Sequence, residues 1–176
     1  VMGSIAKIKD RMTEEAPHSL DGMNFMQYST YNDLDTMMEL SQDYDAIRWM
    51  QENIEGSPVI VEGNMVEYHW GNRYTIYTGL PSVVGWNWHQ RQQRAALPGG
   101  TVESRVADVG AFYSTTNIEE VQGFLDNYGV SYIVIGQLER ALYQGPGLNK
   151  FEEMDGILWQ EVYRNGDTVV YEVISL

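Results

Sequence analysis

The sequence predicts an α/β fold: a three-layer sandwich with a mixed sheet and a C-terminal antiparallel hairpin. Three observations lead there. Helical patterns run directly into strand patterns, from "SQDYDAIRWMQENIEG" to "PVIVEG" and from "NIEEVQGFLDNYG" to "VSYIVIG", the order expected of layered α/β domains. "VSYIVIG" is the strongest strand candidate of the chain. The end, "ILWQEVYRNGDTVVYEVI", sets two strands around "NGD", a strong hairpin signal.

Taken in order, residues 1–38 form a mostly irregular lead-in that packs onto the domain through Met23, Phe25, Met26 and Tyr28, and residues 39–176 form one α/β domain. In the first helix Ile47, Met50 and Ile54 recur at helical spacing, Ser41 or Asp43 is the cap, and Gly56 stops it before Pro58. "PVIVEG" is a buried strand, "PSVVGW" a second short strand, and "NWHQRQQRAAL" a helix stopped by "PGG". "TVESRVADVGAFYST" places Val102, Val106, Val109 and Tyr113 on one stripe behind Thr101 as cap. In the next helix Asn117 and Glu120 stand at capping-box spacing, Val121, Phe124, Leu125 and Tyr128 form the stripe, and Gly129 ends it. "QLERALYQG" and "GLNKFEEM" are short helices. The core expected from these stripes is Ile47, Met50, Val59, Ile60, Val61, Val106, Val109, Phe124, Leu125, Ile133, Val134, Ile135, Val170 and Tyr171.

Composition bounds the function. The 176 residues are 43% hydrophobic and include five Trp, twelve Tyr and four Phe, enough to bury a core. A formal charge of -14 argues against nucleic acid, whose phosphates demand clustered Lys and Arg, and against flat adsorption on anionic lipid. With no cysteine, disulfides and thiolate metal sites are excluded. No apolar run approaches the roughly 20 residues that span a bilayer, and no stretch shows the basic-then-apolar pattern expected of a secretory leader.

One segment departs from this acidic background. From Tyr68 to Val102 there is no Asp or Glu, while Arg73, Arg91, Arg94, His69 and His89 all fall within it, as do Tyr68, Trp70, Tyr74, Tyr77, Trp86 and Trp88. Flat aromatic faces stack on sugar rings, side-chain amides bond hydroxyls, and arginine grips phosphate. That mixture fits a polar, ring-shaped or anionic ligand such as a glycan or a phosphorylated lipid head group. On this reading Trp86 supplies a stacking wall, His89 and Gln90 meet the ligand at the first turn of the helix near Asn87, and Arg73 completes an anion clamp in the same cleft. The plainer reading makes the segment a core-facing part of the domain, its arginines paired with acids such as Glu62, Glu67, Asp108 or Glu139. Arg105 and Asp108, three apart on a helix, are spaced for a salt bridge.

Other chemistries find little support. The three histidines show no HxxxH or HxH spacing, so no metal site is expected, and no cofactor motif (P-loop, GxGxxG or GxSxG) is present. His89 could act as a catalytic base only with a carboxylate brought from elsewhere, which leaves a small hydrolase or transferase as one alternative and a ligand-free interaction module as another.

The blocks "SLDGMNFM", "DYDAIRWMQENIEGSPVIVEG", "YHWGNRYTIYTGLPSVVGWNWHQRQQR", "RVADVGAFY" and "YGVSYIVIGQLERALY" together resemble the C-terminal soluble part of the YYY-domain membrane proteins. These are multi-spanning proteins of uncharacterised function, similar to membrane glycosyltransferases that use lipid-linked sugars. The resemblance runs from about Ser19 to the end, with one departure: the family carries Trp-Arg where this chain has Gln93 and Arg94. It implies a domain tethered behind a transmembrane part of the same polypeptide, on the extracytoplasmic side, not an enzyme by itself but an aid in binding a glycan or polyprenyl-phosphate sugar. It marks Arg73, Thr78, Trp86, His89, Gln90, Arg94, Glu139 and Arg140 as ligand-binding candidates, while Gly79 and Gly85 serve backbone turns. In that setting residues 1–18, with the basic "KIKDR", approach the membrane.

Overall fold

The computed structural model describes residue 17 and residues 19–66, 68–96 and 99–174; the expected membrane-proximal "KIKDR" lies outside them. Chain order is a 3-10 turn (Asn24–Tyr28), β1 (Thr30–Asp33), β2 (Thr36–Glu39), α1 (Leu40–Asn53), β3 (Val59–Val61), α2 (Arg73–Thr78), α3 (Asn87–Gln93), α4 (Thr101–Ser114), α5 (Ile118–Tyr128), β4 (Val130–Ile135), α6 (Gln137–Leu142), a 3-10 turn (Pro146–Leu148), α7 (Asn149–Glu153), β5 (Trp159–Asn165) and β6 (Thr168–Val173).

The main sheet has the order β3-β4-β6-β5. β3 runs parallel to β4, whereas β6 is antiparallel to both β4 and β5, so the sheet is mixed as the sequence predicts. Successive residues of β4 point to opposite faces. Ile133 and Ile135 join Val109, Phe112, Phe124 and Trp159 on the face covered by α4, α5 and α7, while Val134 joins Ile47, Met50, Tyr74 and Met26 on the face covered by α1 and α2. Two apolar clusters on the two faces of one sheet make the three layers. Of the expected core, Val59 and Val106 are only partly buried; the other members are buried.

Local chemistry explains the ends of elements. Asn117 caps α5, its side chain accepting from the Glu119 N–H at 3.0 Å. The expected capping box does not close, because Glu120 turns to the Thr115 hydroxyl (2.7 Å) and Thr115 takes the Asn117 N–H (3.1 Å). Gly129, at φ 60°, ends the helix in the left-handed conformation that glycine favours. β6 is buried at four successive residues, Thr168–Tyr171, rather than alternating, since it is an inner strand with layers on both sides.

Three elements differ from expectation. The lead-in is not irregular throughout: β1 and β2 form a hairpin whose two turn residues, Leu34 and Asp35, take φ of 51° and 55°. That is the twist a two-residue hairpin needs, reached here without the usual Asn-Gly. Of its expected anchors Met26 is fully buried, whereas Tyr28 is exposed. The predicted strand "PSVVGW" reduces to a bridge at Ser82: Ile60 bonds Pro81 O (2.8 Å) and Val83 N (3.3 Å), and Pro81 has no N–H with which to extend the ladder. α3 ends at Gln93, short of the expected Leu97.

Candidate functional site

The carboxyl ends of β3 and β4 lie side by side, and open α/β sheets place their ligand sites beyond such ends. The Tyr113 hydroxyl from α4 bridges them, 3.1 Å from Val61 O and 2.9 Å from Val134 O. Just past each end the chain carries a glycine and a buried acid. Glu62 and Gly63 follow β3; Gly136 and, three residues on, Glu139 follow β4.

Arg73 is the hub between them, 1% exposed. Its Nε donates to Asp43 Oδ2 (2.7 Å), Nη1 to Glu139 Oε1 (3.1 Å) and Nη2 to Glu139 Oε2 (2.9 Å). Glu139 also accepts the N–H groups of Gly63 (2.7 Å) and Gly136 (2.8 Å). Both glycines are required by this crowding: a Cβ on Gly63 would stand 2.8 Å from Glu139 Oε1, and one on Gly136 2.8 Å from Arg73 Nη2. Asp43 is filled in the same way, taking the Tyr74 hydroxyl (2.7 Å) and the Trp70 indole N–H (2.7 Å). Glu62 accepts the N–H groups of Tyr74 (2.9 Å) and Thr75 (2.8 Å), and so caps α2, whose own N-cap, Asn72, supplies no side-chain bond.

The charges sort by environment. Burial alone would weaken the Arg73 cation, but Asp43 and Glu139 override it and hold its pKa well above the ordinary value. Burial works against the Glu139 carboxylate, and Arg73 overrides it, leaving that group below the usual range. At Glu62 the balance reverses: burial outweighs Arg73 and the two N–H donors and pushes the carboxyl up to about 7. One guanidinium cannot neutralise three buried carboxylates, and Glu62, which does not touch it directly, is the one left over.

Above this interior lies a shell of amides and an aromatic rim. Asn64 donates to Asn72 Oδ1 (2.9 Å), Asn72 to Val84 O (2.8 Å), and Asn87 to Asn64 Oδ1 (3.2 Å) and Met65 O (3.0 Å), which ties the loop after β3 to the start of α3. On the rim Tyr68 is 85% and Trp86 38% exposed. Their rings meet edge to face at 6.4 Å, and His89 lies 5.0 Å from Trp86. Tyr68 projects from a backbone at φ 67°, a conformation that costs energy for a residue with a side chain. Trp88 is also exposed, while Asn87 between the two tryptophans is buried.

The candidate residues therefore divide. Trp86 and His89 come together at the surface, with half-buried Gln90 beside Gly85. Arg73 and Glu139 come together in the interior, so the expected cleft does not form around Arg73: its guanidinium points inward because two carboxylates already hold it there. Thr78 closes the end of α2, donating to Tyr74 O (2.6 Å) and accepting from the Leu80 N–H (3.1 Å). Arg140 bonds Asp167 O (3.1 Å). Arg94 lies with Arg91, Gly100 and Glu103 around a hollow of about 130 Å³, where Glu103 pairs with Arg91 at 3.0 Å. The spaced pair Arg105–Asp108 does not form: Arg105 donates to Val83 O (3.2 Å) and Asp108 accepts from Tyr128 (2.5 Å). Among the described residues no carboxylate bonds to His89.

Asp43 was missed as a member of the cluster, and Glu62 was expected only as an acid partner of an arginine, yet a signal for both existed. Asp43 stands on the same helical stripe as Ile47, Met50 and Ile54, and Glu62 directly continues the apolar run "VIV"; an acid on a core stripe needs a buried partner.

By sequence the chain matches no protein-family model and no curated protein. By structure it is similar to the C-terminal globular domain of an oligosaccharyltransferase from Archaeoglobus fulgidus, with a TM-score of 0.50 and 13% identity, over 74% of this chain and 95% of that one. The two share the fold. Among the described residues no helix is long and apolar enough to cross a membrane.

Proposed function

We propose that the chain is the extracytoplasmic domain of a membrane glycosyltransferase-like protein, tethered to a transmembrane part of the same polypeptide, and that it assists glycan binding through the rim of Tyr68, Trp86 and His89. The observation that carries this reading is the exposed aromatic rim at the carboxyl edge of the parallel strand pair, on a fold similar to an oligosaccharyltransferase domain. Aromatic faces offset from one another suit the C–H faces of pyranose rings, and Gln90 beside them offers an amide for hydroxyls.

Of the two ligand classes, a neutral glycan fits better than a polyprenyl-phosphate sugar. The cation placed to clamp a phosphate, Arg73, is buried and held by Asp43 and Glu139, and at the hollow near Arg94 the carboxylate of Glu103 offsets the arginines.

The test is an NMR titration of the chain with methyl glycosides of glucose, mannose, galactose and N-acetylglucosamine, beside farnesyl phosphate as the anionic probe. We expect a dissociation constant of about 1 mM, equivalent to about 4 kcal/mol of binding free energy. The Trp86 indole and Tyr68 ring resonances should move with at least one neutral glycoside, and in Trp86→Ala and in Tyr68→Ala the resonances of neighbouring His89 should no longer respond. Shifts confined to Arg91 and Arg94 with farnesyl phosphate would favour the lipid-phosphate class. No response to any probe would leave the rim as an interaction surface without a sugar.

A further inference from the structure

Glu62 stands apart from the other buried acids. Asp43 and Glu139 each bond Arg73 directly, whereas among the described residues Glu62 meets the two backbone N–H groups at the start of α2, with the Thr75 side chain beside them. It also sits at the root of the segment that carries the rim. Gly63 follows it, Tyr68 lies six residues on, and its two donors, Tyr74 and Thr75, begin the helix that leads to Trp86. Both of its donors can be served by an ionised carboxylate, but ionisation adds a second uncompensated negative charge beside Asp43 and Glu139 in a buried interior, which is costly unless water enters.

We propose that Glu62 is a proton-controlled clasp: protonated, it lets the segment between β3 and α3 close over the Arg73 cluster, and its ionisation loosens that segment and with it the aromatic rim. Among the described residues the groups that face it are few, the uncharged Thr75 side chain being one. From α2 there are Arg73 and Tyr74; from α1, Asp43, reached across Arg73; from α6, Glu139, likewise; and from α4, the Tyr113 hydroxyl. The loop itself contributes His69, which pairs outward with Asp33 of β1 at 2.7 Å. Of these only Arg73 stabilises the Glu62 anion, and it already serves two others.

The direction follows from linkage. A carboxyl held near 7 when closed and at its ordinary value when water enters favours the closed form at low pH, and this preference is lost as pH rises through 7. Between pH 6 and 8.5 the opening equilibrium should rise about tenfold. The inference rests on the rim reading only for its functional consequence, since the motion itself is read without any sugar.

The experiment is amide hydrogen exchange on the whole chain at pH 6 and 8.5, corrected for the intrinsic pH dependence of exchange, together with the ¹³C resonance of the Glu62 carboxyl. Protection at Tyr74 and Thr75 should fall about tenfold across that range, remain unchanged in Glu62→Gln, and still fall in His69→Gln. Equal protection at both pH values, or a response abolished by His69→Gln and kept by Glu62→Gln, would overturn the proposal. Should Glu62→Gln fail to fold, the wild-type carboxyl decides: a midpoint between 6 and 8 supports the clasp, and one below 5 refutes it. A pH response without glycoside binding would leave the clasp and remove the sugar; glycoside binding without a pH response would do the reverse.

Discussion

One face of the sheet and its carboxyl edge are closed by different physics. Beneath α4 and α5 the interior is largely apolar and aromatic, with Phe112 stacked on Phe124 at 4.4 Å and Phe151 packed against Trp159 at 5.2 Å, and the buried Lys150 amine lies over Phe151 at 4.4 Å. At the carboxyl edge the interior is held by Arg73 between two carboxylates, with a third carboxyl capping α2. Apolar packing is tolerant of pH and graded in its response to lost volume. A buried ion cluster is worth little as a whole but fails severely when one member is removed, because the remaining charges stay behind. Stability therefore comes chiefly from the first region, and the shape of the candidate site from the second.

The sharpest break is Arg73→Met. Asp43 and Glu139 would lose their counter-ion, and we expect a loss of about 3–5 kcal/mol, measured by urea denaturation at pH 7. The loss should shrink at pH 4, where protonated acids no longer need a cation. Leu125→Ala, on the apolar side, is expected to cost about 2–5 kcal/mol with no such pH dependence. If both losses respond to pH alike, the contrast between the regions fails.

The wild-type chain carries its own version of this test. The Glu62 carboxyl is raised in the fold, to about 7, so its contribution is present below the ordinary carboxylate value and lost as pH climbs through 7. Between pH 5 and 8.5 this amounts to about 2.5 kcal/mol of lost stability, seen as a falling urea midpoint that Glu62→Gln flattens. The smallest effect belongs to the rim. Trp86→Ala should change stability by no more than about 0.5 kcal/mol, because the ring is exposed and edge-packed, while removing any glycoside response. A large loss of stability there would make Trp86 a packing residue and undo the contrast between rim and interior.

How much was legible varies by element. α1, α4, α5 and β4 follow from apolar stripes and from the stop at Gly129, and the β5–β6 hairpin from Asn165-Gly166-Asp167. The β1–β2 hairpin was not legible, since its turn residues Leu34 and Asp35 carry no turn signature and adopt left-handed backbone only because the flanking strands pair. α2 was missed as well: six residues long, it is shorter than any helix stable alone and exists because Glu62 caps it and Tyr74 is anchored in the core. The pairing of Trp86 with His89 was within reach of helical spacing, whereas Tyr68 joined them only through the fold of its loop.

What the sequence by itself determined is what local periodicity encodes: the layers, the mixed sheet, its terminal hairpin, and an acid-free aromatic segment in an acidic chain. Only the tertiary structure decided what that segment's charges do. Arg73 finds Asp43 from 30 residues away and Glu139 from 66, and no local pattern specifies which of 25 acids will meet a given arginine. That choice is made by the sheet, which brings the ends of β3 and β4 together so that the cation and its carboxylates are desolvated as a group, and by the resulting surplus of negative charge, which turns Glu62 from a plausible ion-pair partner into a buried acid with a proton to lose.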